Sequence, residues 1–164
     1  MVKAQGSPYG GQLIEIIEWI DNTTETIVHK FPDDDRQIKS GAQLIVRDSQ
    51  VAVFINEGKM GDVFYPGRHT LETRNIPVLS SLKGWKYGFR SPFKADVYFV
   101  STKRFTGLLW GTASPILVRD AELGVIRIRG FGTFSIRVSD APLFLREVSW
   151  TIFPFQVHCV LKTI

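Results

Sequence analysis

The sequence predicts an α+β domain, dominated by strands and carrying a helix near each end. Three observations predict it. Residues 125–138 alternate apolar and polar side chains with a period of two, as a strand with one buried face does. Runs rich in Val and Ile are separated by the turn-forming sequences Asn56, Glu57, Gly58, Lys59 and Tyr65, Pro66, Gly67, Arg68. Helix signals stand at the two ends, as an apolar arc of period 3.6 over residues 13–20 and as Asp140, Ala141, Pro142 before a second apolar stretch.

Taken in order, residues 1–11 read as a flexible leader, because Gly6, Ser7, Pro8, Gly10 and Gly11 disfavour a helix start and no apolar signal core is present. In residues 11–21, GQLIEIIEWID, the side chains of Leu13, Ile14, Ile16, Ile17 and Ile20 share one helical arc with Trp19 at its edge. Glu15 and Glu18 take the opposite face. The reading is a short amphipathic helix, although the same letters also fit a strand. Residues 26–31 alternate and stop at Pro32, and Asp33, Asp34 and Asp35 make a turn. Strands follow over residues 43–47 and 50–56, then a hairpin to residues 60–65, the Pro66–Gly67 turn, and a strand over residues 69–73.

Residues 83–90 interleave Lys83, Trp85, Lys86, Tyr87, Phe89 and Arg90 with Gly84 and Gly88. The continuous apolar run within residues 93–101 predicts a strand buried on both faces. Shorter strands are expected over residues 104–111 and 114–119. In residues 125–138, Ile126, Ile128, Phe134, Ile136 and Val138 face one way, while Arg127, Arg129, Thr133, Ser135 and Arg137 face the other. Gly130 and Gly132 fall on the apolar side, which implies a bend, a bulge or a close backbone approach. Asp140 is the expected N-cap of the last helix, Pro142 lies in its first turn, and Leu143, Phe144, Leu145 and Val148 form its apolar side. The domain is expected over residues 12–149. Residues 150–164 form an apolar tail, with Trp150, Phe153, Pro154 and Phe155, that either packs on the sheet, contacts another chain or begins a following helix.

The net charge of +4 is unevenly placed: residues 1–40 carry −3 and the remainder +7. A basic remainder can meet nucleic acid, acidic lipid or an acidic partner, or can simply stay solvated against the acidic N-terminal part. Cys159 is the single cysteine, so no intramolecular disulfide forms, and a cytoplasmic location is the simplest expectation. No apolar run reaches the ~18–20 residues a spanning helix needs.

Chemistry-bearing motifs are absent from the sequence. His29, His69 and His158 have no ligand or base at a motif spacing, and neighbours such as His158 and Cys159 point to opposite faces of a strand. Gly130, Phe131, Gly132 lie inside a strand pattern, where a phosphate cradle does not form. Asp120 and Glu122 sit beside a turn without a proton-transfer partner, and the Asp33–Asp35 turn reads as solvated and not as a metal site. The expectation is a protein that is not an enzyme and uses no cofactor or metal. Two features remain as candidate contacts. One is the first helix, with Leu13, Ile14, Ile17, Trp19 and Ile20; its acidic polar face suits a protein surface better than anionic lipid. The other is the segment carrying Lys83, Trp85, Lys86, Tyr87, Phe89 and Arg90, which suits lipid headgroups, single-stranded nucleic acid or a partner, or else covers the core.

The segments GAQLIVRDSQVAVFINEGKMGDVFYPGRHTL and PILVRDAELGVIRIRGFGTFSIRVSDAPLFLREV resemble the two halves of an SPFH, or Band 7, domain. The phrases IIEWID, SQVAVFINEG, LKGWKYGF and SPFKADVYFV are similar to an anchor-free bacterial branch labelled "virion core protein-like". This resemblance covers residues 12–148. It implies mostly antiparallel strands curved around helices, no catalytic residues, and scaffolding of proteins at the membrane periphery as a homo-oligomer. It further implies a membrane-embedded or membrane-bound protein partner and no specific nucleic acid; a nucleic-acid or acidic-partner domain using residues 83–94 is the alternative. The apolar tail and the lack of a heptad-bearing helix depart from the family pattern, which points to assembly through a segment mostly outside this sequence.

Overall fold

The structure, a computed structural model, describes residues 15–32, 37–38, 41–56, 58–72, 93–148 and 155–157. The leader, the acidic turn at residues 33–35 and the basic aromatic segment at residues 83–90 lie outside these residues. The chain order is β1 (Ile16–Glu18), β2 (Thr26–Lys30), β3 (Gln37–Ile38), β4 (Gln43–Val46), β5 (Gln50–Asn56), β6 (Lys59–Phe64), β7 (Gly67–Thr70), β8 (Phe93–Lys94), β9 (Asp96–Ser101), β10 (Phe105–Gly111), β11 (Ile116–Asp120), β12 (Gly124–Ile128), β13 (Phe131–Ile136), α1 (Ala141–Glu147) and β14 (Phe155–Gln156).

β5 and β9 explain the architecture. Both are apolar on consecutive residues, so each must be covered on two sides. They lie antiparallel at the centre of a five-stranded sheet ordered β14-β2-β9-β5-β6. Alternation then divides their side chains between two cores. Ala52, Phe54, Val97 and Phe99 point to one, where they meet Ile17, Leu44, Val46 and Leu71. Val51, Val53, Ile55, Tyr98 and Val100 point to the other, where they meet Phe105, Ala141, Leu145 and Val157. The first core is closed by a three-stranded sheet, β1-β4-β7, and the second by α1 together with the base of β10 and β13. Each fully buried aliphatic or Phe side chain here contributes about 1.5–3 kcal/mol.

The expected N-terminal helix is not what residues 16–18 form. They are β1, a strand parallel to β4, with the Gln43 N–H donating to the Glu15 carbonyl at 2.8 Å. Burial has a period of two: Ile17 is 0% and Trp19 6% exposed, whereas Ile16 is 54% and Ile20 56% exposed. The apolar spacing of this segment satisfies either period. Three β-branched isoleucines and a free edge of β4 decide for the strand. Glu18 then reaches Arg47 at 3.2 Å.

The Pro66 corner also differs from a simple hairpin turn. Phe64 ends β6 in the large sheet, while Gly67 begins β7, which pairs with β4 in the small one. Tyr65 and Pro66 thus carry the chain between sheets, and the His69 Nε2–H donates to the Tyr65 carbonyl at 2.8 Å to close the corner. The C-terminal helix starts at the expected cap, but of its expected apolar side Leu145 is buried, Phe144 and Val148 are half-buried and Leu143 is exposed, because the helix turns Leu143 away from the core. The Asp140 carboxylate accepts the Leu143 N–H at 2.8 Å, Pro142 occupies the first turn, and Ala141 and Leu145 are buried. In the tail, Phe155–Gln156 adds an edge strand to β2, and the Val157 N–H donates to the Glu25 carbonyl at 2.8 Å. This part of the tail packs on the sheet.

Candidate interaction surface

Of the candidate contacts named from sequence, Ile17, Trp19 and Ile20 are described. Ile17 and Trp19 belong to the core, and of that group Ile20 is exposed. Leu13 and Ile14 lie outside the described residues, as do Lys83, Trp85, Lys86, Tyr87, Phe89 and Arg90.

The structure shows a different surface, a two-stranded arm. β10 and β13 pair antiparallel, and β11 and β12 continue the ribbon beyond them. The junction is tied by the Thr112 N–H donating to the Gly130 carbonyl at 2.9 Å and the Gly130 N–H to the Thr112 hydroxyl at 3.3 Å. At the base, Gly107 has φ +71 within a register shift between Phe105 and Leu108, so the strand bulges there. Phe105 is buried, and Leu108 and Ile136 pack beside it. Along the arm Trp110 stands opposite Gly132. A Cβ on Gly132 would lie 2.7 Å from the indole Nε1, and one on Gly130 3.5 Å from the far ring. The indole therefore lies across the bare backbone of both glycines. Of the bend, bulge or close approach that the two glycines left open, the structure has the close approach, here by a side chain.

Beyond Trp110 the arm leaves the domain. β11 and β12 pair with each other and with no other described strand, and every residue in them except Ile126 is exposed. The alternation expected for residues 125–138 is real, but β12 spends it on solvent. The apolar side chains Leu109, Leu117, Leu123, Val125 and Phe131 are all exposed, Phe131 to 87%. Leu117 lies opposite Arg127 and Arg119 opposite Val125, so one face of the tip mixes aliphatic groups with guanidinium groups. Ile116, Val118, Ile126 and Ile128 make up the other face. Exposed apolar side chains on both faces of one arm make it the candidate interaction surface. One signal in the sequence lies here: Ile116, Leu117 and Val118 are apolar on consecutive residues, so a strand over them shows apolar groups on both faces.

At the base of the arm two hollows meet at Phe105. One, of about 360 Å³, is lined by Ile27, Phe105, Ile136, Val138, Leu143 and Phe144, with Asp140, Glu147, Ser139 and Arg137 at its rim. The other, of about 310 Å³, is lined by Thr24, Glu25, Val157 and the start of β10.

Polar chemistry is concentrated elsewhere, at the N-terminal clasp. The rings of Trp19 and His29 stack at 5.3 Å and 14°. Burial lowers the His29 pKa below 6.5, partly opposed by the Asp21 charge. Burial pushes the Asp21 carboxyl up, but the Lys103 ammonium and the N–H and hydroxyl of Thr23 outweigh it and hold the carboxyl below 3.8. The Gln50 side-chain amide donates to the Trp19 carbonyl at 3.1 Å. Asp120, at the arm tip, accepts the N–H groups of Glu122 and Leu123, both at 2.9 Å, which lowers its pKa and accounts for it as a turn residue. His69 sits on β7 in the small sheet. Among the described residues no cluster of His, Cys, Asp and Glu could hold a metal ion, and no helix is long and apolar enough to cross a membrane.

The sequence profile of the SPFH domain-Band 7 family matches residues 28–162, including the part of the tail that forms β14. A relative in Bacillus subtilis (strain 168), described as the uncharacterized protein YdjI, is 41% identical over 134 residues. Those residues are 80% of this chain and 41% of YdjI, so the chain spans about two fifths of that relative's length. No solved structure matches the chain. With most of its length matched by the family profile, the chain belongs to the SPFH domain-Band 7 family.

Proposed function

We infer that this chain is a non-catalytic assembly domain, which organises or recruits proteins at the periphery of a membrane and works as a homo-oligomer. One observation carries the reading: an arm anchored in the core presents apolar side chains to solvent on both of its faces. Such a surface has a use when another chain covers it. Membership of the SPFH domain-Band 7 family supports the membrane periphery as the place. The test is fractionation of the full-length protein in its own cell. The reading expects co-sedimentation with membranes, release by high salt or alkaline carbonate as a peripheral protein, and a complex much larger than the monomer. A monomer found only in the membrane-free fraction contradicts it.

A further inference from the structure

Resting on that reading of the arm as a contact surface, we propose that the domain itself carries both halves of a head-to-tail contact: the arginine-bearing face of the β11–β12 tip seats in the apolar hollow at the base of the arm of a second copy of this chain. The tip face offers Leu117 and Val125 flanked by Arg119 and Arg127. The hollow offers an apolar floor, and carboxylates stand around it and its neighbour at Asp140, Glu147 and Glu25, with Arg137 the cation in the lining. The guanidinium groups of Arg119 and Arg127 then meet the carboxylates of Asp140 and Glu147 around an apolar centre, the arrangement of a desolvated core with a charged rim.

The geometry decides between one molecule and two. Phe105 and Ile136 line the hollow and are also the residues from which the arm springs. A hydrogen-bonded ribbon rooted there leads away from its own hollow, so the tip meets the hollow of another copy. The contact joins two different patches and is heterologous, which propagates as a ring or an open chain of subunits. A lipid surface fits less well, because Asp120 and Glu122 stand at the tip of the hairpin and would enter the headgroups first.

Two variants of this chain test the proposal, each changing exposed positions and checked for an unaltered melting temperature. The arm variant is Leu117→Asp with Arg127→Glu, and the hollow variant is Leu143→Asp with Glu147→Lys. In sedimentation velocity without membranes, the unmodified chain should grow in mass with concentration past a dimer. Each variant alone should be monomeric. An equimolar mixture should form a one-to-one dimer and stop there, because it holds one intact arm and one intact hollow. Self-association of the hollow variant would mean that arms pair with arms, and a mixture that stays monomeric would mean that the two patches do not meet; either overturns the proposal. So does an arm variant that keeps the mass of the unmodified chain but loses binding to phosphatidylglycerol vesicles. Failure here leaves the cell fractionation result standing, and the reverse also holds, so the two readings fail separately.

Discussion

The indole of Trp110 lies over the backbone of Gly132, the residue opposite it on β13, so closely that a Cβ there would come 2.7 Å from Nε1. The ring takes the place of the missing side chain and stiffens a ribbon that pairs with no third described strand. Gly132→Ala should displace the ring and destabilise the domain by about 1–3 kcal/mol, as overpacking does. In a Trp110→Ala background the same change should cost far less, and chemical denaturation of the four proteins of this cycle measures the difference.

Strand β1 places Ile17 and Ile16 one residue apart on opposite sides of the sheet, the former buried and the latter exposed. Ile17→Ala should cost about 2–5 kcal/mol and Ile16→Ala less than about 0.5 kcal/mol. A helix with both residues on its apolar arc would make the two changes comparable, so the ratio of the two measured losses reports the conformation directly.

Acidification should loosen the N-terminal clasp. The His29 pKa is lower in the folded chain than its ordinary value of 6.5, so the unfolded chain binds the proton more readily. Stability from this group is complete above pH 6.5 and is lost as pH falls from there through the folded value. Asp21, also held below its ordinary value, adds a second loss in the same direction at lower pH, beginning near 3.8. His29→Phe keeps a ring against Trp19 and should flatten the decline in melting temperature between pH 7 and 5, while leaving the lower step in place.

Asp140 has two roles that two substitutions separate. Asp140→Ala removes the cap on Leu143 and should cost about 0.5–2 kcal/mol. Asp140→Asn keeps an acceptor for that N–H and should cost little in thermal unfolding. It removes only the negative charge at the rim of the hollow.

The elements whose sequences admit one period were legible. The double-sided burial of β9, the β5–β6 hairpin and the Asp140 cap all followed from local chemistry, while at Gly132 the close approach was one of three readings left open. The segment around Ile17 was not, because its spacing suits a helix and a strand equally and the choice rests with the edge of β4, which is distant in sequence. The candidate site was hidden for a related reason. Alternation says that Ile126 and Ile128 share a face, but not whether another element covers it. That depends on how many strands the rest of the chain can bring to the spot, and at the arm tip it brings none that is described.

The arm is the surface proposed for assembly of the protein. The most direct measurement is the size of the complex formed by the full-length protein in native electrophoresis, unmodified and with Leu109→Asp and Phe131→Asp, two exposed positions on β10 and β13. A large complex that collapses to small species in the variant, with the melting temperature unchanged, is the predicted result. A variant that assembles to the same size as the unmodified protein contradicts the account.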